Sequence, residues 1–384
     1  MDAMRRLLIP VCAVVLVDMM LYSVLTPILP EIVDELDLRK GAAGMLVAAY
    51  AAGSFLGAIP AALLSTRRGP KAAVLLGLAL LVTACVVFAV ADSLWMLIAA
   101  RFVQGISSSV SWTGAIAWLL AAAPRHRRGE LLGVALGTGI FGAVFGPVLG
   151  SLAALTSREL VFFAVAALAL AVGLFAARVG AVHLHEAAPG ALRRALKSPV
   201  FLAGLGLMLL PALLLGVVLV LGPLHLSDRG WGAAAIGGVW LLNAGVQAAA
   251  TPLLGRWTDR EGAARPVALL LVLGAATSTA LAVIGTPFVY AAALVAASTV
   301  YGALYAPAFS LIARGADENG LPQGVAFALM NGSWAIGAVI GPAAGGAVAE
   351  AAGDRLPLAA AAVVCVATLA YVATRIRSAS TVTT

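Results

Sequence analysis

Twelve apolar runs, each long enough to cross a bilayer, govern what this sequence can become. They fall at about 7–29, 42–64, 71–91, 95–119, 131–155, 159–179, 199–221, 233–254, 266–285, 288–312, 322–349 and 357–376. A helix needs ~20 apolar residues to cross a ~30 Å hydrocarbon core. Lipid offers no partner to free backbone N–H and C=O groups, so only helices and closed barrels can span it. Barrel strands would alternate apolar and polar residues over ~10 positions, and these runs do not. The chain therefore reads as an all-α polytopic membrane protein. Of its 384 residues, 62% are hydrophobic and 11% charged, against roughly 25% charged in a soluble domain. The sequence leaves no room for a sizeable soluble domain between the runs.

The placement of positive charge tests the count of twelve. Of the 24 Lys and Arg residues, 18 fall in alternate connections and at the termini, in clusters such as Arg5-Arg6, Arg67-Arg68-x-x-Lys71 and Arg193-Arg194. The opposite connections hold only Arg39, Lys40, Arg158, Arg229 and Arg355, and Arg101 lies inside a run. A wrong count would scramble this asymmetry. It predicts a cell-membrane protein with both termini cytoplasmic. Clusters confined to short loops also argue against nucleic acid as the reason for the net charge of +7. The first run is too long for a signal peptide, is interrupted by Asp18, and has no small-residue cleavage site. Cys12, Cys85 and Cys365 sit inside apolar runs without disulfide or metal spacing, so no metal or cofactor is expected.

The sequence repeats itself. Gly146-Pro147-Val148-Leu149-Gly150 returns as Gly341-Pro342-Ala343-Ala344-Gly345, 195 positions on. Arg67-Arg68-Gly69 returns as Arg260-Glu261-Gly262, 193 positions on. Both offsets are near half the chain, as an internal duplication requires. The predicted organisation is a six-helix bundle over 1–180, a cytoplasmic linker over 181–198 and a second bundle over 199–384. His183 and His185, in that linker, read as a solvated loop.

Four blocks carry mechanism. The first is the loop after span 2, Ala62-Leu63-Leu64-Ser65-Thr66-Arg67-Arg68-Gly69-Pro70-Lys71, with its second copy Gly255-Arg256-Trp257-Thr258-Asp259-Arg260-Glu261-Gly262. Glycine permits a tight turn there, and the charges can form ion pairs that break and re-form between states. The second is Arg101-Phe102-Val103-Gln104-Gly105, a cation inside an apolar span. A charge at mid-bilayer costs roughly 2.5–3.5 kcal/mol, and functional residues are what usually justify it. The third is Gly142-x-x-x-Gly146-Pro147-x-x-Gly150 and its copy Gly337-x-x-x-Gly341-Pro342-x-x-Gly345. Glycines four apart make a flat stripe for close helix packing, and proline permits bending. The fourth is span 1, where Asp18 lies about 16 Å deep at 1.5 Å per residue and Tyr22 follows one turn on, before Pro27-x-x-Pro30.

These blocks resemble those of the major facilitator superfamily, most nearly its twelve-span drug:proton antiporter group; span 1 is similar to that of multidrug exporters and vesicular monoamine transporters. The first loop departs from the family pattern at Ala62 and Thr66, where glycine and aspartate are usual. The resemblance implies two six-helix halves related by a pseudo-two-fold axis, with spans 1 and 4 facing a central cavity. It also implies exchange rather than uptake.

Asp18 and Arg101 are the ionisable residues placed deep in spans, within about 5 Å of each other in depth. They are the candidate proton-coupling pair. Burial penalises a carboxylate's charge and a nearby arginine favours it, so a site whose access to water alternates can take up a proton on one side and release it on the other. Candidates for the cavity wall are Tyr22, Gln104, Trp112, Asn243, Gln247, Tyr301, Tyr305, Asn331 and Trp334. The conformational candidates are Arg67, Gly69, Lys71, Gly142, Gly146, Pro147, Gly150, Gly255, Asp259, Arg260, Gly262, Gly337, Gly341, Pro342 and Gly345. The expected function is proton-coupled efflux of a small lipophilic or cationic compound by a monomer in the lipid bilayer. A proton-coupled importer of a sugar or organic acid is the alternative, but sugars want many hydrogen-bonding side chains and anions want several cations. A membrane enzyme is disfavoured because no catalytic constellation or phosphate-cradling loop occurs.

Overall fold

The computed structural model describes residues 3–124, 127–181, 190–321 and 323–381, and those residues form fourteen helices and no strands. In the first half these are α1 (Ala3–Glu35), α2 (Lys40–Arg68), α3 (Pro70–Ala89), α4 (Leu94–Ala122), α5 (Arg128–Leu155) and α6 (Arg158–Ala177). A short α7 (Ala191–Ala195) lies in the connector. Then follow α8 (Pro199–Ser227), α9 (Ala233–Glu261), α10 (Ala264–Val283), α11 (Pro287–Ala303), α12 (Tyr305–Glu318), α13 (Gln323–Ala352) and α14 (Arg355–Thr381). His183 and His185 lie outside the described residues.

Eleven spans among the described residues are long and apolar enough to cross a membrane, α11 and α12 together forming one of them. The expected twelfth is α4. It has 29 residues, but Arg101, Gln104 and the serines at 107–109 and 111 dilute its apolar content. Span 10 is broken at Leu304. Pro307 has no N–H to give to the Ala303 carbonyl, which ends α11 there.

Gly69 and Gly262 end α2 and α9 with φ of 89° and 78°. That region is open to glycine at little cost, which explains why the duplicated loop keeps glycine at this point while losing other residues.

Packing repeats with the sequence. In the first half α5 lies along α1: a side chain at Gly142 would meet the Leu16 carbonyl, at Gly146 the Met20 carbonyl, and at Gly150 the Val24 carbonyl. In the second half α13 lies along α8, with Gly337 on Leu209, Gly341 on Leu213 and Gly345 on Val217. Each partner on α8 stands 193 positions beyond its counterpart on α1. Pro147 adds a tie. It withholds the N–H that would cap the Ala143 carbonyl, and that carbonyl accepts the Ser23 hydroxyl of α1 at 3.4 Å.

The halves meet mainly at the end of the molecule opposite the termini, here termed the distal end. Gly44 of α2 abuts the Pro342 carbonyl of α13, and Gly346 abuts the Lys40 carbonyl. Ser151 of α5 donates to the Ala233 carbonyl of α9 at 3.2 Å. Towards the other end, Gly133 and Gly137 of α5, Gly255 of α9 and Gly332 of α13 have no such neighbour within 4 Å. The close backbone contacts between the halves named here thus lie at the distal end.

Candidate substrate and proton site

Asp18 lies on α1 with 4% of its surface exposed. The Tyr50 hydroxyl of α2 donates to its Oδ1 at 2.9 Å, while Oδ2 is buried with no partner. Arg101 of α4 is equally buried. Its Nη1 donates to the Leu21 carbonyl of α1 at 2.9 Å and to Gln104 Oε1 at 3.0 Å. A carbonyl oxygen has a second lone pair beyond its helical bond, so α1 can serve this cation without unwinding.

No ion pair joins Asp18 to Arg101 among the described residues. Tyr50 stands with both: its hydroxyl holds the carboxylate, and its ring lies 4.9 Å from the guanidinium carbon. Such a cation–π contact is worth about 0.5–2 kcal/mol depending on desolvation. The two charges are thus linked through one aromatic ring from a third helix. Nothing in the sequence marked Tyr50, which stands among Val47, Ala48, Ala49, Ala51 and Ala52.

An aromatic group extends from this site to the seam between the halves. Tyr22 lies 5.4 Å from Tyr50 and 5.6 Å, edge to face, from Trp334 of α13. Tyr305, at the start of α12, lies beside Trp334. Tyr22, Tyr305 and Trp334 each keep part of their surface accessible. These four rings form a chain of contacts that runs from Asp18, through Tyr50 and Tyr22, to Trp334 and Tyr305.

The other candidates divide. Gln104 is fully buried on Arg101, with its Nε2 unpartnered. Asn243 Oδ1 accepts from Thr299 of α11 at 3.4 Å, and the Gln247 amide packs against Gly302. Trp112 and Asn331 are half-buried. Tyr301 turns away from the aromatic group: its hydroxyl shares a 2.6 Å hydrogen bond with Ser278 of α10 inside the second half.

The loop after α2 is arranged differently from the ion-pair expectation. Lys71 donates to the Ala177 and Val179 carbonyls, both at 2.7 Å, and so caps the C-terminus of α6 within its own half. Arg67 is exposed and makes no ion pair among the described residues. In the second copy Arg260 is exposed, and the side chain of Asp259 lies outside the described residues.

A polytopic helical bundle with two repeated halves around a charged central site is the architecture of a membrane carrier. This chain belongs to the Major Facilitator Superfamily, whose family model matches residues 11–326. Members of this family are transporters rather than enzymes. Among curated proteins it is 30% identical over 162 residues to the MFS-type transporter ppzB of Metarhizium rileyi, covering 41% of this chain and 34% of that one. It is 30% identical over 180 residues to a probable vesicular acetylcholine transporter-B of Danio rerio, covering 44% and 36%. A probable sugar efflux transporter of Helicobacter pylori is 28% identical over 122 residues, covering 32% and 31%. The matches thus span about a third of the length of these relatives. In fold, the chain is similar to a bacterial homolog of the human lysosomal transporter Spinster in an inward-facing, occupied conformation. The TM-score is 0.79 at 16% identity, and 96% of each chain is covered.

Proposed function

We propose that the protein is a proton-coupled exporter of a small lipophilic or cationic compound, with Asp18 carrying the proton. The observation that bears most on this is the half-satisfied carboxylate. One oxygen is held by Tyr50, and the other is buried without a hydrogen bond of its own, with Ser108 of α4 beside the carboxylate. An unmet acceptor in a dry site is costly, and a proton or a substrate cation relieves it. Competition between those two ligands is the elementary requirement for exchange.

Three further observations favour this reading. Apart from Asp18, the surrounding rings offer flat apolar faces and few hydrogen bonds, which suits a lipophilic or cationic solute better than a sugar. The end away from the close contacts between the halves carries the termini and most of the Lys and Arg, the signature of the cytoplasmic side. On that orientation this state receives solute from the cell interior. Efflux is also named for one of the relatives.

The working cycle is alternating access. The 1–180 and 199–384 bundles rock about Asp18 and the aromatic group, and a monomer suffices because the site lies within one chain. The test uses purified protein in vesicles with an imposed proton gradient, screened against toxic organic cations and neutral lipophiles. The wild type should exchange substrate for protons and lose uphill transport when an uncoupler is added. Asp18→Asn should retain downhill substrate movement but lose substrate-coupled proton flux. Undiminished proton flux in Asp18→Asn would refute the role of Asp18. Gradient-driven accumulation towards the terminal side would refute export.

A further inference from the structure

His225, near the distal end of α8, stands alone in the sequence but not in the structure. Its Nδ1 lies 3.8 Å from Asp354 Oδ2. Asp354 sits in the turn between α13 and α14 and receives Lys40 Nζ of α2 on both oxygens, at 2.6 and 2.8 Å. Lys40 belongs to the first half, while His225 and Asp354 belong to the second. The imidazole is stacked on the Tyr290 ring of α11, with centroids 3.9 Å apart, and its Nε2 is buried with no partner. Beside this group Glu350 of α13 pairs with Arg39 at 3.5 Å and accepts the Gly41 backbone N–H at 3.0 Å.

We infer that Lys40, Asp354 and His225 form a proton-responsive latch that holds the distal end shut and is tightest when the imidazole is charged. The argument is geometric. The lysine and the carboxylate lie on opposite halves at the point where Gly44, Gly346 and Pro342 already press the halves together. Opening the distal end must separate them. A charged imidazole adds a second cation to a carboxylate that already holds one, while the neutral ring adds little.

A charged imidazole is thus the form in which the latch holds most firmly, and acidity on the distal side supplies that charge. The other charged or titratable groups around it are Arg39, Glu350, Asp228, Arg229, Tyr290 and Arg355. Arg229 is committed to the Gly285 and His225 carbonyls at 3.0 and 3.2 Å, and Glu350 is committed to Arg39 and Gly41. Neither competes for Asp354. Because the pairing exists only when the distal end is shut, linkage requires that state to hold the proton more tightly. Acid on the distal side then favours closure, which in an exchanger helps return the proton-loaded carrier.

The experiment places spin labels at Asp34 and Thr286, exposed on opposite halves at the distal end, in full-length protein in lipid nanodiscs. Pulsed dipolar distances are recorded from pH 5.5 to 8. The open-to-closed ratio should rise about five- to tenfold with pH, as loss of one charge-assisted contact implies. His225→Asn should hold the ratio at its high-pH level throughout. Asp354→Asn and Lys40→Gln should raise it at every pH, and the exchange Lys40→Asp with Asp354→Lys should restore closure. A full pH response in His225→Asn, or an unchanged ratio in Asp354→Asn, overturns the latch. Repeating the series in Asp18→Asn separates the two proposals, since the latch should respond there as in the wild type.

Discussion

The Tyr50 hydroxyl donates to Asp18 Oδ1 across 2.9 Å in the interior of the first half. Ser108 of α4 also lies beside that carboxylate, and the tyrosine ring faces Arg101. A tyrosine, with both a polar tip and a π face, can serve an anion and a cation at once.

Tyr50→Phe keeps the ring and removes the donor. The variant should fold and lose about 1–3 kcal/mol of stability, the usual cost of leaving a buried group without its bond. Thermal unfolding in detergent measures this. Substrate-coupled proton flux should fall more steeply than substrate binding, because the ring contacts with Tyr22 survive.

Glycine substitutions should separate fold from cycle. Gly142→Val and Gly337→Val place side chains against the Leu16 and Leu209 carbonyls, so both should abolish the monodisperse folded peak in size-exclusion chromatography. Gly137→Leu enters open space and should leave that peak intact. It should nevertheless stop transport if this face closes in the alternate state.

Lys71→Ala removes both bonds to the C-terminal carbonyls of α6. The loss should be about 1–2 kcal/mol, combining two hydrogen bonds with the helix-dipole contribution. Lys71→Arg should recover part of it. A melting temperature unchanged in Lys71→Ala would show that water caps α6 equally well.

How much of this was legible in advance follows from what each signal needs. Span positions depend on length and apolarity, which a sequence displays directly. The spacing of the glycine stripes is itself a geometry, and along them α5 lies against α1 and α13 against α8. The hydrogen-bond partner of Asp18 was not visible in that way. Depth along the helix put Asp18 and Arg101 at similar levels, but depth carries no azimuth, and in a helix that is apolar all round nothing shows which face meets which neighbour. Tyr50 entered between them for that reason. His225 likewise looked solitary because its partners lie 185 and 129 positions away, at 40 and 354.

Below about pH 4, where the carboxylate itself takes up a proton, acid should weaken the distal closure through Asp354. The adjacent His225 imidazole, and after it the Lys40 ammonium, hold this carboxyl below its ordinary value. A depressed carboxylate contributes stability above its unfolded value, about 3.9, and loses it as pH falls through the folded one. The stability difference between wild type and Asp354→Asn should therefore be present from pH 5 to 8 and shrink below about pH 4. Both partners keep some solvent contact, so the difference should be about 1 kcal/mol or less. Chemical denaturation at stepped pH checks it.

The vacant glycine faces at the terminal end carry a thermodynamic message. Glycine inside a helix costs up to about 1 kcal/mol relative to alanine, whether or not a partner helix lies against it. The chain bears that cost at Gly133, Gly137, Gly255 and Gly332 with no neighbour within 4 Å to offset it. Faces without side chains are what a partner helix would meet there in the alternating-access cycle proposed above.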